Sequence, residues 1–125
     1  MKARAKVWVY SNCDSCRKAL AFLKARGVET ESHPIVEEPP SAEELRQMLQ
    51  ATGGELKRLF NVSGALYREL KIAEKLPGMR AEDALRLLAG HGKLIKRPFA
   101  WLQGSGGRRV GRVGFDPKEW AKDLG

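Results

Sequence analysis

The chain has two cysteines, Cys13 and Cys16, three positions apart in YSNCDSCRKAL (residues 10–20). A CxxC pair can clip a metal, close a small disulfide loop, or work as a pair of thiols. Zinc ordinarily takes four ligands, and only His33 and His91 are available beside the cysteines, with no second CxxC and no paired histidines, so no metal site is expected. A structural disulfide around so short a loop would add little stability. Two ordinary buried cysteines are the remaining alternative. The surroundings favour redox chemistry, because an apolar run precedes the pair and a helical pattern follows it.

A helix starting at Ser15 or Cys16 would place Cys13 in the strand-to-helix turn and Cys16 in the first helical turn. Unpaired N–H groups and the positive end of the helix dipole would then face Cys13, and both favour thiolate over thiol. The dipole is worth about 0.3 to 2 kcal/mol, and one pKa unit corresponds to about 1.4, so the field could supply most of a shift from ~8.5 toward ~7. Arg17 and Lys18 would assist, whereas Asp14 would oppose. Cys13 is therefore expected to be the nucleophile and Cys16, held by the helix, the resolving thiol.

The elements that must position this pair follow from the pattern of the chain. AKVWVY (residues 5–10) predicts a buried strand, and Ala19, Leu20, Phe22 and Leu23 recur at helical spacing up to about Arg26, with Gly27 at C′. ETESHPIV predicts a second strand, placed at an edge by Pro34, so the first three elements form a βαβ unit with parallel strands. Pro39-Pro40 and the capping box Ser41–Glu44 start a helix running to about Ala51, closed by Gly53-Gly54. GELKRLF, SGALYRELKI and MRAEDALRLLAG predict three further short helices, separated by Asn61, Pro77 and Gly78. RPFAWLQ and RRVGRVGF, joined by GSGG, predict a hairpin, and Asp116-Pro117 starts a last helix, DPKEWAKDL. Trp8, Phe22, Trp101 and Trp120 fall at core-facing spacings, and His33 and His91 are expected to be structural.

The bulk composition sets wider limits. A chain of 125 residues with 42% hydrophobic residues suits one domain with its own core. No apolar run approaches the roughly 20 residues of a membrane span, and no signal peptide is expected, so a cytoplasmic protein is the default. The 23 Lys and Arg against 15 Asp and Glu leave a net charge of +8. Such a balance suits an anionic partner, but most charges lie on the polar faces of expected helices and no nucleic-acid motif accompanies them, so direct nucleic-acid binding is not expected.

With YSNCDSCRKAL, EEPPSAEELRQML, YREL and KLIKRPF in this order, the chain resembles the ArsC/Spx family from about residue 5 to 122. That family includes arsenate reductases, glutathione-dependent thiol reductases and Spx-type redox regulators that bind RNA polymerase. The resemblance implies an α/β thioredoxin-like fold with a mixed four-stranded sheet (β-α-β, helical insertion, β-β-α), a single domain over 1–125 with the insertion at about 41–90. It implies that Arg97 aims its guanidinium at the anion or thiolate near Cys13 and that Pro98 is cis and faces the reactive loop. Substrate contacts are expected from Asn12, Ser15, Arg17 and Pro98. No bound cofactor is implied; glutathione, another low-molecular-weight thiol or a thioredoxin-type protein would act as reductant, and the protein would be a monomer. In the regulator branch, which CDSCRKA and GFDPKEW also resemble, the partner is the C-terminal domain of the RNA polymerase α-subunit.

The arsenate reductases that the chain resembles use three arginines around the oxyanion. Arg97 matches one. The second position falls on Asn61 or Ser63, and the third on Phe115 or Arg112 according to register. Without those cations a tetrahedral oxyanion loses much of its charge compensation, so thiol–disulfide exchange, and not arsenate reduction, is the expected chemistry.

Overall fold

The apolar run after Ala3 forms β1 (Arg4–Val9) in the computed structural model of the protein, which describes residues 2–125. It is followed by α1 (Asp14–Ala25) and β2 (Glu29–Pro34). After the helical middle of the chain come β3 (Phe99–Gln103), β4 (Arg109–Val113) and a last helix (Pro117–Leu124). The sheet order is β2-β1-β3-β4, with β1 parallel to β2 and antiparallel to β3, and β3 antiparallel to β4. This is an α/β fold with a mixed four-stranded sheet. β2 is an edge strand and largely exposed, which lets Pro34 close it where no further strand needs an N–H donor.

Alternation along the strands decides which side chains meet the helices. Ala5 and Val7 of β1 and Ala100 and Leu102 of β3 are buried with Ala19 and Leu23 of α1 and with Trp120 and Leu124 of the last helix. Phe115 closes this cluster, its ring 5.5 Å from that of Phe22 and 5.0 Å from that of Trp120. On the other face Trp8 stacks on His33 at 5.4 Å and meets the edge of Phe99 at 5.3 Å. Trp8, Trp101 and Trp120 are buried as their spacing predicts, while Phe22 is half-buried.

α1 begins one turn's fraction earlier than the apolar pattern suggests, at Asp14, with Cys13 as its N-cap residue. Its C-terminus is a Schellman closure. Gly27, at φ +68°, donates to the Lys24 carbonyl at 3.1 Å, and the Val28 N–H donates to the Leu23 carbonyl at 3.0 Å.

Two compact units emerge from the chain: the stretch ending at Pro34 together with Arg97–Gly125, and Ile35–Lys96. The second unit is helical. α2 (Ala42–Ala51) starts on a reciprocal capping box, the Glu44 N–H donating to the Ser41 hydroxyl while the Ser41 N–H donates to the Glu44 carboxylate. GELKRLF tightens only into a 3₁₀ turn over Leu56–Leu59. SGALYRELKI divides into α3 (Ala65–Glu69) and α4 (Ile72–Lys75), because Lys71 adopts a left-handed conformation at φ 53° and redirects the chain to bury Ile72. α5 (Ala81–Gly90) packs on α2, where Arg46 binds Glu82 at 2.9 Å. The last helix of the chain is α6 (Pro117–Leu124), capped by the Asp116 carboxylate, which accepts from the Lys118 N–H at 3.0 Å.

Two nearby glycines test this packing in opposite directions. A Cβ on Gly92 would lie 2.0 Å from the Ile35 carbonyl oxygen and 2.8 Å from the Val36 Cα, both backbone atoms, whereas a Cβ on Gly90 meets nothing within 4 Å. Gly92→Ala should lower the urea unfolding midpoint by the equivalent of about 3 kcal/mol or more. Gly90→Ala, at the end of α5, should leave it unchanged or raise it by up to about 1 kcal/mol.

Candidate functional site

β1 ends at Val9, and residues 10–13 carry the chain from the sheet into α1. Cys13 is extended, with φ −142° and ψ 115°, and its carbonyl accepts from the Arg17 N–H at 3.1 Å, closing the first helical turn. Its sulfur is half-buried at the start of α1 and lies 3.7 Å from the Ser15 hydroxyl. Cys16 is 1% exposed, and its sulfur accepts from the Tyr10 backbone N–H at 3.4 Å. Both cysteines are free thiols. The CxxC therefore presents one reachable sulfur and keeps the other covered.

The two thiols are driven apart in acidity. Partial burial pushes the Cys13 thiol up, but the Cys16 thiol, the Cys16 backbone N–H, the Ser15 hydroxyl and the Arg97 charge together bring it below the ordinary cysteine value. Cys13 does not make a strict side-chain cap bond, yet the Cys16 N–H faces its sulfur closely enough to favour the anion. Burial is also the main influence on Cys16, and donation of its proton to Cys13 and the charge there add to it. The Tyr10 N–H and Arg97 only partly oppose these effects, and its pKa is pushed up to about 12. The neighbouring Cys16 thus favours the anion on Cys13, while burial and the Cys13 sulfur keep Cys16 a thiol.

Arg97 reaches this site from the chain just before β3. Its guanidinium lies 4.5 Å from the centre of the Tyr10 ring, a cation–π contact. The Arg97–Pro98 peptide bond is cis, and the Pro98 carbonyl accepts from the Gly114 N–H at 2.8 Å, which ties this segment to the residue after β4. The structure therefore brings together Cys13, Ser15, Cys16 and Arg97. Pro98 is buried. Asn12 is exposed. Arg17 is exposed and paired with Asp14, and also reaches the Ser11 carbonyl at 3.4 Å. Tyr10 does not stand out by residue type in the sequence; its place next to the reactive loop is the signal that would have found it.

The other arginine positions are occupied otherwise. Arg112, on β4, binds Asp123 of α6 through two bonds of 2.6 and 2.9 Å and Glu119 at 3.1 Å. Phe115 belongs to the aromatic cluster between α1 and α6. A cavity of about 310 Å³ lies over Trp101 and Lys6 at the far end of the sheet from Cys13, where Arg109 covers the Trp101 ring at 4.0 Å. His33 is paired with Glu31 at 2.5 Å, and the His91 ring lies 3.1 Å from the Leu87 carbonyl. Among the described residues no three His, Cys, Asp or Glu side chains gather as a metal site, and no helix is long and apolar enough to cross a membrane.

A mixed sheet with a CxxC at the start of its first helix and a cis proline at the start of an antiparallel strand defines a thioredoxin-like protein. The particular branch follows from comparison. The sequence profile of the ArsC family matches residues 8–122, and the chain belongs to that family. It is 41% identical over 114 residues to the uncharacterized protein YusI of Bacillus subtilis, covering 91% of this chain and 92% of YusI. The crystal structure of an ArsC family related protein from Bacteroides fragilis superposes with a TM-score of 0.82 at 38% identity, covering 98% of this chain and 97% of that one. Relatives at 28–29% identity include an arsenate reductase of Neisseria meningitidis and the regulators MgsR and Spx of Bacillus subtilis.

The opposed acidities predict selective labelling. With iodoacetamide at neutral pH, Cys13 should be alkylated first and Cys16 hardly at all, as read by peptide mass spectrometry. The Cys13 rate should reach half its maximum at a pH below that of an ordinary cysteine, because its thiolate forms earlier as pH rises. Cys16→Ala removes the donated proton and should move that midpoint upward.

Proposed function

We propose that this ArsC-family protein is a thiol–disulfide oxidoreductase that acts on small disulfides. The observation that carries the reading is the division of labour in the CxxC: a reachable Cys13 held toward thiolate and a covered Cys16 held as thiol. The Cys13 thiolate attacks one sulfur of a substrate disulfide, forming a Cys13–substrate mixed disulfide and expelling the other half as thiolate. That bond removes both the charge on Cys13 and the acceptor for the Cys16 proton, two of the influences that hold Cys16 as a thiol. Cys16 then loses its proton to the departing thiolate and attacks the Cys13 sulfur. The second substrate half leaves, taking up a proton, and a Cys13–Cys16 disulfide remains. Two electrons have passed to the substrate. A low-molecular-weight thiol such as glutathione, or a thioredoxin-type protein, supplies two electrons to restore the dithiol.

Arg97 is the orienting cation, and Asn12 and Ser15 at the mouth of the loop are the contacts we assign to the substrate. Arg17, engaged by Asp14, and Pro98, buried, would contribute through the shape of the loop. Arsenate is not the substrate we assign, because Arg112 is committed to Asp123 and Glu119.

A second reading has support in the likeness to MgsR and Spx: the same pair would be oxidised once, as a signal, and the protein would bind the RNA polymerase α-subunit. Turnover separates the two. With a glutathione-type disulfide and excess reductant, Cys13→Ser should lower the rate to background and Cys16→Ser should accumulate a mixed disulfide at Cys13. Wild type without turnover, but with capture of the α-subunit that changes on oxidation, would establish the regulator instead.

A further inference from the structure

The register of the sheet continues past the last hydrogen-bonded pair. β1 and β3 run antiparallel with Trp8 opposite Phe99 and Val7 opposite Ala100. Two residues further along the same register, Tyr10 falls opposite Arg97. A directly opposed pair brings side chains into contact even where the backbone ladder has ended. The Arg97 guanidinium accordingly lies 4.5 Å from the Tyr10 ring centre. Beyond Val9 the Tyr10 N–H is turned to the Cys16 sulfur, at 3.4 Å.

We propose that Tyr10 is the positioning residue of the thiol site, its ring seating the Arg97 guanidinium and its backbone N–H seating the Cys16 sulfur, so that two of the groups addressing Cys13 hang from one residue. The inference rests on the reading of Cys13 as the working thiol and deepens it. A long arginine side chain has many rotamers, and a flat aromatic face beneath it restricts them at the cost of few degrees of freedom. Tyr10 acts through Arg97 and needs no contact with the substrate. The ring face is what matters, so the phenolic hydroxyl is dispensable. Burial of the ring's remaining surface would also explain why the residue is only half exposed at a loop.

The test is a cycle of variants read by the pH dependence of Cys13 alkylation with iodoacetamide, which needs no substrate and no turnover. Tyr10→Phe should match wild type. Tyr10→Leu, which keeps the backbone N–H and loses the aromatic face, should slow Cys13 alkylation at neutral pH roughly two- to fivefold by raising its midpoint a fraction of a unit. Arg97→Gln should slow it at least as much, and adding Tyr10→Leu to Arg97→Gln should change nothing further. Circular dichroism checks that each variant is folded, and Tyr10→Met replaces Tyr10→Leu in the cycle if the latter is not. An unchanged midpoint in Tyr10→Leu, or an equal further slowing in the Arg97→Gln background, would overturn the inference. If wild-type Cys13 itself titrates like an ordinary cysteine, it is the underlying reading of the site that fails.

Discussion

The opposed acidities of two neighbouring thiols organise this site. With the proton on Cys16, the Cys13 sulfur gains a donor for its negative charge and Cys16 becomes harder to ionise. Neither effect needs a metal or a distant base. Both need Cys16 on the first turn of a helix and Cys13 at its cap, so that the backbone N–H groups and the second thiol converge on one atom. The rest of the first unit serves to keep that geometry. β1 delivers the loop, the Ala19 and Leu23 face anchors α1 on the sheet, and the register of β3 brings Arg97 alongside.

The sulfur exchange we propose draws on charge placement. A tetrahedral oxyanion calls for several cations aimed at one point. Arg112 has the right residue type but is drawn to α6, where the Asp123 carboxylate, hydrogen-bonded to it, holds its guanidinium still more firmly protonated. Arg17 is drawn to Asp14. Arg97, lying on an aromatic face, bears on both sulfurs. One delocalised cation beside a thiolate suits sulfur exchange, in which the negative charge passes along a line of sulfur atoms and never exceeds one unit.

The family relationship is compatible with more than one use of this chemistry. Arsenate reductases and redox regulators both stand among the relatives, as does the uncharacterized protein YusI. A thiol pair with opposed acidities serves either, since a catalyst and a sensor differ in how quickly the disulfide is reduced again and not in how it forms. The discriminating property is therefore kinetic.

Much of the fold was legible in the chain because its signals are local. The short apolar run of β1, the capping box at Ser41–Glu44, Gly27 at C′ and Asp116-Pro117 each specify an element, and each element is present. The CxxC and its place at a helix start were equally readable. Signals were weaker where burial outweighed propensity: GELKRLF closed only as a 3₁₀ turn, and SGALYRELKI broke at Lys71 to bury Ile72. Tertiary structure decided which partners the arginines meet and that Tyr10 lies beside Arg97. A guanidinium on a flexible stem has no local code for its partner, so only the strand register could set Arg97 on Tyr10 and Arg112 against Asp123. The candidate thiols were visible in sequence; the contacts of Arg97 with Tyr10 and of Arg112 with Asp123 were set by the sheet.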